Sequence, residues 1–253
     1  MLKLVNDSEI SRVTDFLAKY PLGVYISSKL LTYGTNRDFF KVWYSEAEGE
    51  IKAVISSFYS AVTVCADDTD FEEIYSFLSF YGYKSICGEK KLILKCGFDL
   101  SYEKTMYRFD FNDYVTDDKP VSSCDMKKVY KLICENIPGS FEDTNEAYLS
   151  FLSDFTFRQR RNKARVKAFI KDEDILSCAL TSAEDKNNAI ISGVASSNKA
   201  RGKGYGKKVV LWLANELKNE GKDVYVIALN DSAKAFYEKI GFNKIITVGY
   251  TEV

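Results

Sequence analysis

Ten residues, Lys199-Ala-Arg-Gly-Lys-Gly-Tyr-Gly-Lys-Lys208, hold five cations and three glycines and no acid. Glycines let a backbone turn sharply and bring successive N–H groups toward one point. A helix that starts there adds unpaired N–H donors and the positive end of its dipole. The chemistry this combination offers is binding of a phosphate. Spacing narrows which phosphate. A Walker A loop needs a glycine where Arg201 stands and a serine or threonine where Lys208 stands. A dinucleotide fingerprint needs a third glycine where Gly202-Lys-Gly-Tyr-Gly-Lys207 has lysine. What remains is Arg201-x-x-Gly204-x-Gly206.

Around this loop few other groups are suited to catalysis. The chain has no histidine, which removes the commonest general base and metal ligand. Tyrosine, with an ordinary pKa near about 10, is a proton donor at neutral pH; Tyr237 on its spacing alone fits a core aromatic beside Phe236 and Phe242. Glu184, Glu142 and Asp143 are candidate carboxylate bases acting through water. Asn230 suits a helix cap. The six cysteines stand singly with no Cys-x-x-Cys pair, so buried thiols are expected rather than a metal site.

The elements that must hold these residues follow from periodicity. Helical patterns run from Met126 to Asn136 and from Asn145 to Phe157. Strands are expected at Arg165–Ile170, Ile175–Thr181 and Ala189–Ser196. The glycine loop then leads into a helix with Val209, Val210, Leu213, Ala214 and Leu217 on one face, stopped by Gly221. A strand at Val224–Leu229, a short helix and a strand at Lys244–Val248 complete this part.

Upstream, Phe39–Tyr44 and Ile51–Tyr59 form a hairpin pattern around Glu46–Glu50, and Ala61–Ala66 reads as another strand. Asp70 caps a helix carrying Ile74 and Leu78. Asn112–Pro120 is the expected linker. The stretches Phe77–Ile86 and Phe236–Ile245 align without gaps as a weak repeat that sets Leu78 against Tyr237. Strands alternating with helices give an α/β (α+β) fold.

With 35 basic and 36 acidic residues among 253, anion binding must be local. The cluster Arg158–Lys167, with six cations, reads as a helix C-terminus running into a strand, and no nucleic-acid partner is expected. No apolar run approaches a membrane span, and Met1-Leu-Lys-Leu-Val-Asn-Asp7 has no signal core, so a cytoplasmic protein without a membrane partner is expected.

The ordered set from Ile190 to Ile245 resembles the GNAT superfamily of N-acetyltransferases. Arg201-Gly-Lys-Gly-Tyr-Gly206 matches that family's pyrophosphate loop, and Gly193-Val-Ala-Ser196 looks like its bulged strand. Asn230 and Tyr237, in Val224–Asn230 and Ser232–Phe242, match the family's asparagine and tyrosine. The resemblance implies a mixed, mostly antiparallel sheet flanked by helices, in two tandem halves. Residues 1–104 would be a degenerate half and 105–253 the catalytic one.

It also implies acetyl-CoA as co-substrate, with no metal. Val194, Ala195, Ser196, Arg201, Gly202, Lys203, Gly204, Tyr205, Gly206, Lys207, Asn230, Ala233, Phe236 and Tyr237 would form the cofactor site. The implied reaction is direct acetyl transfer to a primary amine of a small molecule or peptide. Tyr237 would act as acid toward the leaving thiolate, with Asn230 beside it and Glu184 a candidate base. A non-catalytic acyl-CoA-binding module is the alternative. The first half would cover the sheet, shape the acceptor pocket or mediate homodimerisation.

Overall fold

The computed structural model describes residues 1–110 and 119–252. The expected linker lies largely outside the described residues, at positions 112–118. The chain divides into two compact units. Met1–Tyr107, Ile227–Lys234 and Lys244–Val253 form the first, and Arg108–Val226 with Ala235–Asn243 form the second. The expected boundary at 104/105 falls three residues before the Tyr107/Arg108 division, and two C-terminal segments group with the first unit.

The first unit opens with β1 (Lys3–Leu4), α1 (Ile10–Leu17) and α2 (Gly23–Tyr33). The meander β2 (Phe40–Ala47), β3 (Glu50–Phe58) and β4 (Ala61–Ala66) follows, then α3 (Phe71–Tyr81), β5 (Ser85–Glu89), α4 (Lys90–Lys95) and β6 (Tyr102–Phe109). β2, β3 and β4 pair antiparallel, whereas β4 and β5 pair parallel. The Glu46–Glu50 hairpin and the Asp70 cap are both present, the latter accepting the Glu73 N–H at 3.0 Å. Ile55, Val64, Ile74, Leu78, Ile86 and Ile93 close the core between sheet and helices.

The second half of the sequence repeats this order. It has α5 (Met126–Asn136), α6 (Asn145–Gln159), β7 (Val166–Lys171), β8 (Asp174–Glu184), β9 (Asn188–Ser196), α7 (Tyr205–Asn219), β10 (Asp223–Ala228) and α8 (Asp231–Lys239). The final strand is β11 (Phe242–Glu252). β7, β8 and β9 again form an antiparallel meander, and β9 pairs parallel with β10. Each half therefore carries two helices, three antiparallel strands and then a helix crossing over to a parallel strand. β11, the last strand of the second repeat, joins the first unit's sheet antiparallel to β5, with Val248 opposite Glu89 and Glu252 opposite Ser85.

This order corrects the phase of the sequence repeat. Phe77–Ile86 spans α3 and β5, whose topological counterparts are α7 and β10, not α8 and β11. The stretch that follows the topology is Lys95-Cys-Gly-Phe98 against Lys239-Ile-Gly-Phe242, where Gly97 and Gly241 both adopt left-handed φ, 85° and 98°. Ile93, not Leu78, thus occupies the place of Tyr237. The mismatch arises because a helix ending in glycine and an aromatic is a generic corner, so two such corners align regardless of phase.

Candidate active site

In the second unit the site begins with a break in β9. Gly193 has φ +56°. Cys178 faces Ala195 and Leu180 faces Ser192, so three steps of β9 match two of β8. The extra residue is a bulge that takes backbone groups of Gly193 and Val194 out of the ladder. A Cβ at Gly193 would sit 2.3 Å from Leu180 Cδ1. Glycine is required there both for its φ and for the close packing. On the other side, the ladder with β10 ends at Ile191 opposite Val226, while β9 continues to Ser196. This is the opening between parallel strands at which α/β folds place ligands.

The loop from Ser197 to Gly204 follows, with a 3-10 turn at Asn198–Ala200. Gly202 and Gly204 have φ +74° and +82°, and neither would crowd a Cβ, so backbone conformation alone selects glycine. Gly204 is the N-cap of α7 and brings no capping side chain, and the first turn has no acid. The N–H groups of Tyr205, Gly206 and Lys207 have no intrahelical acceptor. Gly206 sits where a Cβ would stand 3.1 Å from Ser196 Oγ and 4.0 Å from Phe236 Cζ. Ser196 is fixed by Ser177, whose hydroxyl lies 3.0 Å away and also donates to the Ala195 carbonyl at 3.0 Å.

Arg201, Lys203 and Lys207 are exposed around the loop. Arg201 Nη2 donates to Asn136 Oδ1 at the end of α5, 2.9 Å away. Asn136 carries no signal in the sequence that links it to a loop 65 residues downstream. α7 lies against β7, β8 and β9 through the predicted face of Val209, Val210, Leu213, Ala214 and Leu217, which holds its N-terminus at this place. An open first turn, two left-handed glycines, three cations and no acid fit a pyrophosphate. Such a group would be held by the backbone N–H donors of Tyr205, Gly206 and Lys207, with the side chains of Arg201 and Lys203 beside them.

Tyr237 is 7% exposed, with its ring 5.3 Å from Phe236 and 5.6 Å from Phe242. Burial pushes its pKa up, so it is a protonated donor throughout the neutral range. Asn230 and Ala233 belong to the segment that groups with the first unit, and there Asn230 Oδ1 accepts the Ala233 N–H at 2.9 Å. The amide of Asn230 therefore caps α8 in this structure.

Glu184 does not fit the role of general base. It is fully buried and accepts from Arg165 Nε and Nη2 at 2.9 and 2.7 Å, from Lys222 Nζ at 2.9 Å and from Thr181 Oγ1 at 2.7 Å. Burial alone would raise its pKa, but hydrogen bonds from Arg165 and Lys222 outweigh that and hold it below the usual range. Arg165 also binds Glu216 and Glu220, and Lys167 pairs with Glu216. The residue closes a structural ion network between β7, β8 and α7.

That network also engages Arg165 and Lys167 of the basic cluster, while Arg158 is held by Asp154 and the Ser182 carbonyl. Glu142 and Asp143 are exposed in the connection between α5 and α6, where the Glu142 carbonyl accepts the Tyr130 hydroxyl at 2.7 Å. Among the described residues no group of three or more Cys, Asp or Glu is arranged to hold a metal ion, and no helix is long and apolar enough to cross a membrane.

The first unit differs at the corresponding place. β4 reaches α3 through Asp67-Asp-Thr-Asp70, with no glycine and no cation. Asp70 caps the helix, and Glu72 and Glu73 fill its first turn. A pyrophosphate would meet repulsion there.

Residues 126–242 match the model of the Acetyltransferase (GNAT) family. The structure is similar over its whole length to a tandem GNAT protein from the clavulanic acid biosynthesis pathway, at 13% identity, 98% coverage of that chain and TM-score 0.64. It is also similar over its whole length to a GCN5-related N-acetyltransferase from Sphaerobacter thermophilus (11% identity, 95% coverage of that chain, TM-score 0.63). A GNAT-family acetyltransferase from Colwellia psychrerythraea is matched end to end at 12% identity and TM-score 0.60. No curated protein sequence matches the chain. Residues 126–242 thus match a GNAT acetyltransferase domain, of a family that draws acyl groups from acyl-CoA, and the chain as a whole has the fold of tandem GNAT proteins.

Proposed function

We propose that this chain is an N-acetyltransferase that moves the acetyl group of acetyl-CoA directly to a primary amine, with the donor held by the second unit. The observation that carries this reading is the continuous path from the Gly193 bulge through Gly204 to the open first turn of α7. The donor supplies an activated thioester. For their part, the loop N–H groups and Arg201 bind and orient the pyrophosphate. Backbone groups released by the bulge supply hydrogen bonds to a carbonyl on which charge develops. Tyr237 is a protonated hydroxyl, suited to hydrogen-bonding a leaving sulfur.

With Glu184 committed to its ion pairs, the acceptor is best served by arriving as a neutral amine. Glu142 and Asp143 remain the exposed carboxylates available to take a proton through water. The test is release of CoA thiol from acetyl-CoA across a panel of small amines and peptide N-termini. Amine-dependent thiol release supports the reading. Stoichiometric acetyl-CoA binding with no release against any amine would instead establish an acyl-CoA-binding module.

A further inference from the structure

The repeat leaves the first unit with an opening of its own between parallel strands. The β4–β5 ladder ends at Thr63 opposite Cys87, yet β4 continues to Ala66 and β5 to Glu89. Beyond that point lies a small pocket, partly open to solvent. Its walls include Tyr20, Val64, Cys65, Glu89, Leu92 and Ile246. The place corresponds, element by element, to the opening between β9 and β10 in the second unit. In open sheets ligands settle outside the carboxyl ends of strands at such an opening.

The chemistry has changed sign. The loop after β4 is acidic where its counterpart is basic, which removes the anion cradle. Glu89 is the one charged wall residue, and among the described residues its carboxylate has no hydrogen-bond or ion-pair partner. It is the N-cap residue of α4 but makes no side-chain capping bond. Asp67, which follows the wall residue Ala66 in sequence, accepts the Tyr20 hydroxyl and fixes that wall. The remaining wall is aliphatic or thiol, from Pro21, Leu22, Val64, Cys65, Ala66, Leu92 and Ile246. A carboxylate at one point of a pocket walled mostly by apolar side chains matches a ligand with one ammonium and a short hydrocarbon body. An anion would have nothing to pair with, and a bulkier nucleotide would meet the acidic loop.

We propose that the first unit binds a small aliphatic ammonium compound in this pocket, with the cation on Glu89 and the alkyl chain against Leu92 and Ile246, at a site separate from the acetyl-CoA loop. The site needs no turnover to be detected, so it stands or falls independently of the transfer reaction. The full chain, labelled at its methyl groups, is titrated with n-butylammonium chloride and followed by NMR at Leu22, Val64, Leu92 and Ile246. Saturable shifts at these methyls are expected, absent with sodium butyrate at the same concentration. Glu89→Gln should raise the dissociation constant by about tenfold, the loss of one charge-assisted hydrogen bond. No shift at these methyls, an equal response to butyrate, or unchanged binding by Glu89→Gln overturns the proposal. The ligand comparison uses the unaltered protein, so the result does not depend on how the variant folds.

Discussion

Gly206 and Ser196 approach so closely that a Cβ on the glycine would lie 3.1 Å from the serine hydroxyl oxygen. The contact joins the first turn of α7 to the end of β9, the two elements that frame the candidate cofactor site. Alanine at a helical position ordinarily stabilises by roughly 0.5–1 kcal/mol over glycine. Here crowding on Ser196 offsets that gain. Gly206→Ala should leave thermal stability nearly unchanged while weakening acetyl-CoA binding by about tenfold, or about 1.4 kcal/mol. Combining it with Ser196→Ala relieves the crowding and should raise stability by roughly 0.5–1 kcal/mol without restoring the affinity, as read by melting curves and calorimetric titration.

The bulge makes a different demand. Gly193 combines φ +56° with a neighbour 2.3 Å from the place of a Cβ. Gly193→Ala should therefore cost roughly 1–3 kcal/mol in urea unfolding, through backbone strain and displacement of Leu180. Turnover should fall further than stability explains, because the released backbone groups move with the bulge.

Both positions were accessible in the sequence. A glycine-rich cationic loop and a one-sided apolar helix leave contiguous signals, so the loop and the buried face of α7 could be read directly, while the bulge at Gly193 came only through the resemblance to GNAT. The role of Glu184 could not. Its partners Arg165, Thr181 and Lys222 span nearly sixty residues, and no local pattern distinguishes a carboxylate held by them from a solvated one. The placement of β11 beside β5 is likewise non-local. The N-terminal α2 left no amphipathic stripe because Val24, Ile26, Ser27, Ser28 and Leu30 are all buried, covering most of its circumference.

The Glu184 network has a pH signature. Hydrogen bonding from Arg165 lowers Glu220 to about 2, and Glu184 is also depressed. Carboxylates depressed in the folded state stabilise it fully above their unfolded pKa, about 4.3 for glutamate. That contribution is lost as pH falls through the folded value, so urea midpoints should decline from about pH 4 toward pH 2. Glu184→Gln removes the buried carboxylate from Arg165 and Lys222, which keep Glu220 as a partner, and should cost roughly 1–3 kcal/mol at neutral pH. A flatter acid limb in the variant is expected; an unchanged limb would mean that other carboxylates govern acid unfolding.

Tyr237 offers the test of proton donation. Tyr237→Phe keeps the ring contacts with Phe236 and Phe242 and removes only the hydroxyl. Turnover should drop by about 100-fold or more, the usual range for a lost general acid, with acetyl-CoA affinity unchanged. A parallel loss of affinity would point to a packing role.

The central claim is that one half of this tandem fold holds acetyl-CoA and the other does not. Calorimetric titration of the full chain with acetyl-CoA tests it most directly. The account predicts one molecule bound per chain, with affinity lost in Gly204→Val, whose side chain is strained at φ +82°. Two molecules per chain, or binding unaffected by that substitution, would contradict it.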